Sequence, residues 1–423
     1  MALAGERGDR APLRPVTTRP SPDLRRARAA VSALFLVNGA LVANILPRLP
    51  AIKAGLDLSN AELGLAVAAM PVGGLIAGGF AGALIHRFGS GRLTVALQVV
   101  YGLILALVGL APSWPALAAS FLVFGALDAT SDAAMNAHGI LVQERYGRSI
   151  MQAFHGFWSA GTLVGGATGA LAAGLGIPVP LHLAVAGVAL AIVSLVAKTG
   201  LLDEHEGETA AASDEAPITL RDAPRLLRVL APFALLGVLG VMLEDAASTW
   251  SSVYLVEVLG LAAGVAAIAF VLYTAAMTAG RLTNDRWVDR WGPAAVARGG
   301  SLLAAAGLAL VALAGPTAVP ALAFIGFVGV GIGASSQFPV MVNAAASLPD
   351  VPAAHGIAIV SWLARAGFVI GPALIGIAAD AFGLSAAFLI PLTAALLVAL
   401  LAPRLLAGSR TAMAAPIADP LGG

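Results

Sequence analysis

Twelve apolar runs, each near or above twenty residues, follow one another along the chain: about 29–49, 60–85, 92–111, 115–140, 149–175, 179–199, 229–256, 260–283, 294–315, 318–346, 353–380 and 384–403. A bilayer core about 30 Å thick needs roughly 20 apolar residues per helix, so each run is long enough to cross one. None shows a period of two, and all exceed the strands of a membrane barrel. The expected fold is therefore all-α: a polytopic membrane protein with twelve transmembrane helices.

Charge placement agrees. The 423 residues carry 24 basic and 23 acidic side chains. Ten of these fall in residues 1–28, eleven in 198–228 and three after 403, which leaves too few elsewhere for a water-soluble surface. Disordered, secreted disulfide-rich and nucleic-acid-binding classes are excluded. The sequence has no cysteine, so disulfides, thiolate nucleophiles and cysteine metal sites are excluded as well.

An even number of spans puts both chain ends on one side. That side would carry the Arg-rich tail, Arg87, Arg92, Arg145, Arg148, Lys198 to Arg228, Arg281 to Arg298, Arg404 and Arg410. The other side would keep only Arg48 and Lys53. Basic residues concentrate on the cytoplasmic side of membrane proteins, so both termini are expected there. Residues 1–28 read as a disordered cytoplasmic arm, 29–199 as one six-helix bundle and 200–228 as a polar linker. Residues 229–403 read as a second bundle and 404–423 as a second tail.

The halves repeat each other. His86-Arg87-Phe88-Gly89 recurs as Asp289-Arg290-Trp291-Gly292, Asn136 as Asn343, and Gly161 with Gly165 as Gly367 with Gly371. The offsets are nearly equal, which predicts two pseudo-symmetric six-helix bundles arising by duplication. In transporters built this way the solute site lies near the midplane, between the repeats.

With these elements in place the chain resembles the major facilitator superfamily over essentially its whole length. The loop signature of that family, G-x-x-x-D-[RK]-x-G-x-x-[RK], is matched by Gly82, Arg87, Gly89 and Arg92, with His86 standing where the family has Asp. Asp289, Arg290 and Gly292 repeat its core in the second half. The resemblance implies that these loops help to steady one conformation. A narrower resemblance is to the fucose–proton symporter branch and its bacterial relatives. It rests on Asp132-Ala-Ala-Met-Asn136, Gln152-Ala-Phe-His155-Gly-Phe157, Phe338-Pro339 and Gly371-Pro372. That likeness implies Asp132 as a proton-coupling carboxylate and His155 as a substrate contact.

Ionisable groups inside a span are costly and mark function by default. Asp128 and Asp132 stand four apart on one helix face, with Asn136 continuing the stripe. Two carboxylates so close in low dielectric resist being ionised together, which suits a proton acceptor; a static bridge to Arg365 is the structural alternative. Glu244 and Asp245 form a second acidic pair in the seventh span, as proton site, cation site or water-facing patch. Arg365 needs a carboxylate partner or an anionic ligand, since its guanidinium stays charged. Gln152, His155, Ser159 and Thr162 make a polar stripe on the fifth span, while the neighbouring glycines suit close helix packing. Asn38, Trp158, Gln337, Asn343 and Trp362 complete the expected lining, as amides and aromatic faces suited to a hydroxyl-rich solute.

Enzyme motifs are missing. There is no phosphate-binding G-x-x-x-x-G-K-[ST] loop, no H-E-x-x-H and no G-x-S-x-G. The histidines at 86, 138, 155, 182, 205 and 355 lack metal-ligand spacing, and no cofactor or metal is expected. The sequence reads as a monomeric secondary transporter of the bacterial cytoplasmic membrane. It would couple protons to a small polar, sugar-like solute. Proton-driven efflux of a drug or metabolite is the alternative within transport, and a non-transporting sensor on the same fold the alternative outside it.

Overall fold

The computed structural model describes residues 20–203, 223–348, 351 and 353–406. Most of the two tails and of the linker expected from sequence lies outside the described residues. The first half runs through α1 (Pro22–Ala43), a 3-10 turn (Leu46–Arg48), α2 (Leu49–Gly55), α3 (Asn60–Phe88), α4 (Ser90–Leu110), α5 (Trp114–Tyr146), α6 (Met151–Gly174) and α7 (Val179–Lys198). The second half contains α8 (Ala223–Glu257), α9 (Ala263–Trp291) and α10 (Pro293–Thr317) as unbroken spans. Its other three spans are broken: α11 (Pro320–Ala334) with α12 (Gln337–Ala346), α13 (Ala353–Ala364) with α14 (Ala366–Phe382), and α15 (Leu384–Ala387) with α16 (Leu389–Leu405).

Among the described residues, eleven of the spans are both long and apolar enough to cross a membrane. The twelfth, α6, is a 24-residue helix. Its polar stripe and glycines dilute its hydropathy, yet it packs between α1 and α9 as a span should. The two six-helix bundles are thus formed as expected.

Some helices outrun their apolar runs, because apolarity marks the membrane-buried part while capping marks the helix end. Span four, expected to stop at 140, continues to Tyr146 and ends where Gly147 turns left-handed at φ 71°. Span eight, expected to stop at 283, continues to Trp291. The first helix begins at Pro22, inside the stretch assigned to the tail, with the Ser21 hydroxyl accepting from Leu24 N at 3.2 Å. A Ser59/Glu62 capping box opens α3, with reciprocal bonds of 3.1 and 2.9 Å.

Glycine sets the corners and the closest packing. Gly89, Gly292 and Gly383 adopt φ of 79°, 81° and 83° between consecutive helices, a conformation that costs any side chain. A methyl group on Gly161 or Gly165 would collide with the α1 backbone at Leu36 or Ala40. Of the repeat-related glycines, Gly367 lies against the α8 backbone at Val238, and Gly371 faces the Asp245 side chain. Each glycine pair therefore holds the fifth helix of its bundle against the first.

The bundles meet on the face away from the chain ends. There Asp380 of α14 accepts from Asn60 N and Ala61 N of α3, at 2.9 Å each, and Lys53 pairs with Glu257 at 2.5 Å. Gly174 of α6 abuts Gly264 of α9, and Gly166 abuts Phe270. Toward the chain ends α3 leaves this contact: a Cβ on Gly78, Gly79 or Gly82 would meet no atom within 4 Å. The molecule is closed on one face and parted on the other.

Candidate functional site

A cavity of about 430 Å³ lies between the bundles, within the usual range for small-molecule sites. It is walled by α1, α3, α5 and α6 on one side and by α8, α9, α12, α13 and α14 on the other. Most of its surface is apolar, including Met70, Phe270, Met277, Phe338 and Phe368. Charged groups are few and concentrated.

On the first-bundle wall stands Asp128, at the middle of α5. Its Oδ1 accepts from Asn38 Nδ2 at 3.1 Å, and Asn38 Oδ1 accepts from Trp158 Nε1 at 2.9 Å. Asn38 is 2 % exposed, so it sits behind the wall and fixes the two groups on either side of it. Tyr101 of α4, fully buried, directs its hydroxyl toward Asp128 without reaching hydrogen-bond geometry. Asp132 lies one turn nearer the open face, about 6 Å along the helix. It accepts from Asn136 Nδ2 at 3.1 Å. His155 is exposed at the parted face, its ring edge-on to Phe35 at 5.3 Å.

On the second-bundle wall, Glu244 accepts from Arg281 Nη2 at 3.3 Å, and its backbone carbonyl accepts from Tyr273 Oη at 3.1 Å. Asp245 is 4 % exposed. Its Oδ1 accepts from Thr249 Oγ1 at 2.9 Å, while Oδ2 is buried with no hydrogen-bond partner. Arg365 forms the break between α13 and α14 and reaches across the gap. One guanidinium nitrogen comes within 3.8 Å of the place a Cβ would take on Gly74 of α3.

The static Arg365 bridge, the structural alternative weighed from sequence, does not form among the described residues. Arg365 lines the same cavity as Asp128 but is not within ion-pair distance of it. Nor is Arg365 the lone basic residue within a span. Arg281, counted from sequence with the basic residues of the chain-end side, lines the cavity on α9. The apolar run extends only two residues beyond it, so it read as a basic flank of the span and not as part of the site. The spacing Tyr273, Met277, Arg281 would have revealed one stripe four residues apart.

The structure also separates the amides and aromatics. Asn38, Trp158, Asp128, Glu244, Asp245 and Arg365 converge on the cavity or its wall. Gln337 is turned away from it: 1 % exposed, its Nε2 donates to Ala297 O and Gly333 O at 3.1 Å each, tying α12 to α10 and α11. Asn343 and Gln152 are exposed and do not line it. Trp362, 59 % exposed, is likewise outside the wall, although its neighbour Ser361 is in it. Asn136 spends its amide on Asp132 and the Asp132 carbonyl.

The signature residues lie on the parted face. Gly82, His86, Arg87 and Arg92 are exposed, as are Asp289 and Arg290, while Gly89 and Gly292 make the corners. Arg87 stacks over Phe88 at 5.3 Å, and Trp287 stacks on Trp291 at 4.8 Å.

Two helical bundles around a central cavity, sealed on one face and parted on the other, define a membrane carrier. The profile of the Major Facilitator Superfamily matches residues 31–349 and 262–421, and the chain belongs to that family. It is 34 % identical over 373 residues to an uncharacterised transporter of Sinorhizobium fredii, covering 88 % of this chain and 96 % of that one. It is 32 % identical to an uncharacterised transporter of the same superfamily from Yersinia pestis, covering 84 % and 89 %. With membrane protein MosC of Rhizobium meliloti it shares 30 %, covering 92 % of each. Among solved structures, a variant of the nucleoside transporter NupG superposes with a TM-score of 0.77 at 13 % identity, over 90 % of this chain and 99 % of that one. A bacterial homologue of the human lysosomal transporter Spinster, inward-facing and unoccupied, superposes at 0.68 with 15 % identity, covering 93 % and 98 %. At such identities the superpositions speak for the fold. The chain is a multi-pass secondary transporter of a small-molecule substrate, and not an enzyme.

Proposed function

We propose that this carrier couples proton movement to transport of a small polar, sugar-like solute by alternating access, with Asp128 at the junction of the two processes. The observation that carries the proposal is the Trp158–Asn38–Asp128 chain on the cavity wall. A carboxylate at mid-span is costly unless it does work, and here its partners hold it aimed at the cavity. An aromatic face beside fixed polar groups suits a hydroxylated solute.

In this reading Asp132, one turn nearer the parted face, receives the proton from that side, and the cation of Arg365 responds to the charge on both carboxylates. The chain works as a monomer in the bacterial cytoplasmic membrane, with both termini cytoplasmic. The structure is then the inward-open state, and rocking of the bundles would expose the cavity on the other side. The mostly apolar wall favours one second reading, export of an amphiphilic compound in exchange for protons.

Proteoliposomes loaded with a pH-sensitive dye test both. A panel of sugars, polyols and amphiphilic cations should include one class that moves protons with it. The sign of the proton flux separates symport from antiport. Asp128→Asn should abolish coupled proton flux while leaving solute binding measurable. Coupled flux at wild-type rates in that variant would remove Asp128 from the mechanism.

A further inference from the structure

A second cavity, of about 550 Å³, lies far from the carrier site, between the chain-end segments of α10 and α16. Two stripes form its walls. On α10, Arg298 is followed one turn deeper by Leu302. On the antiparallel α16, Arg404 is followed at four-residue steps by Leu400 and Leu396. Residues four apart share a helix face and rise by about 6 Å per step, so each stripe begins with a cation and continues inward as hydrocarbon. Leu302, Leu396 and Leu400 are 46 %, 46 % and 57 % exposed. Their apolar surface faces out of the bundle.

The two arginines are placed for use. Arg404 Nη1 donates to Leu400 O at 3.0 Å, which draws its guanidinium back along α16 over the groove and leaves its other donors available. Arg298 is exposed, and neither arginine forms an ion pair with a carboxylate among the described residues. Among the described residues, no acidic side chain lines the groove. A lipid-exposed groove with two uncompensated cations at headgroup depth and leucines beneath them matches one kind of molecule, an anionic glycerophospholipid.

We propose that α10 and α16 hold one anionic phospholipid of the leaflet on the chain-end side. Its phosphate lies between Arg298 and Arg404, and one acyl chain lies along Leu302, Leu400 and Leu396. The guanidinium pair supplies charge and directed N–H donors to the phosphate oxygens. The leucine stripes supply the chain contact. A zwitterionic lipid offers the same acyl chain but carries its own cation, so it would be held less well.

The test is native mass spectrometry of the full-length protein in detergent, titrated with phosphatidylglycerol and phosphatidylcholine of identical acyl chains. The wild type should retain one phosphatidylglycerol in preference to phosphatidylcholine. Arg298→Gln with Arg404→Gln should lower that preference on the order of tenfold or more. Leu400→Trp, which keeps both arginines and fills the groove, should weaken retention of both lipids together. Size-exclusion and thermal unfolding profiles unchanged from wild type identify folded variants, and should the double variant fail there, the single Arg404→Gln variant takes its place. Equal retention of the two lipids by the wild type overturns the proposal. So does an undiminished phosphatidylglycerol preference in the folded arginine variant.

Discussion

At the scale of single residues, the site depends on groups that hold other groups. Asn38 donates to Asp128 and accepts from Trp158 while almost fully buried. Asn38→Ala leaves a carboxylate and an indole N–H without their partner, at a cost of about 1–3 kcal/mol. We expect a lower unfolding midpoint in detergent together with impaired coupling, whereas Gln152→Ala, at an exposed position outside the cavity wall, should leave the midpoint unchanged. The Glu244–Arg281 pair is partly open to water, with side chains 23 % and 33 % exposed, so its coupling should be modest. A double-mutant cycle with Glu244→Gln and Arg281→Gln should return about 1 kcal/mol or less in stability. A value several times larger would mean that the pair is far drier than its exposure indicates.

At the scale of elements, small residues decide where helices lie. Gly161 and Gly165 bring α6 onto the α1 backbone; Gly367 does the same for α14 on α8, and Gly371 leaves room there for the Asp245 side chain. Gly161→Ala forces the helices apart and should destabilise by about 1–3 kcal/mol, as overpacking does. Gly78→Ala on α3 meets no atom within 4 Å and should be neutral or slightly stabilising. Thermal unfolding of the two variants side by side checks the contrast, and equal losses would sink the packing explanation. The spacing of these glycines was legible in the sequence, and so was their duplication. The break at Arg365 was not, because nothing in that run of apolar residues marks which turn will be distorted.

For the whole molecule, the closed face must open if the carrier alternates. That face is held by Asp380 on the first turn of α3, by Lys53 with Glu257, and by the contact of Gly174 with Gly264. The natural chain has no cysteine, so Lys53→Cys with Glu257→Cys gives a protein whose two thiols can be joined by a short bismaleimide. Cross-linking should stop transport without lowering solute binding from the parted side. Full transport after complete cross-linking would show that this face does not gate the path. Asp380→Asn weakens the cap on α3, whose N-terminal amides favour a carboxylate, and should shift the population toward opening of that face. Faster labelling of a single Lys53→Cys thiol is the readout.

The sequence by itself determined the class of molecule. Twelve apolar runs, a lopsided distribution of arginine and a repeated set of glycine and loop markers point to a duplicated helical bundle in a membrane, because runs this long without a period of two satisfy their backbone groups in hydrocarbon only as helices. It also nominated Asp128, Glu244, Asp245 and Arg365, since intramembrane charge is rare enough to stand out. Only the tertiary structure decided what each one faces. A helix presents its side chains around a full circle, and sequence spacing gives relative angles within one helix but not its rotation against its neighbours. That rotation took Gln337 into the packing, left Trp362 outside the wall, brought Arg281 into the cavity and set Asn38 between an indole and a carboxylate.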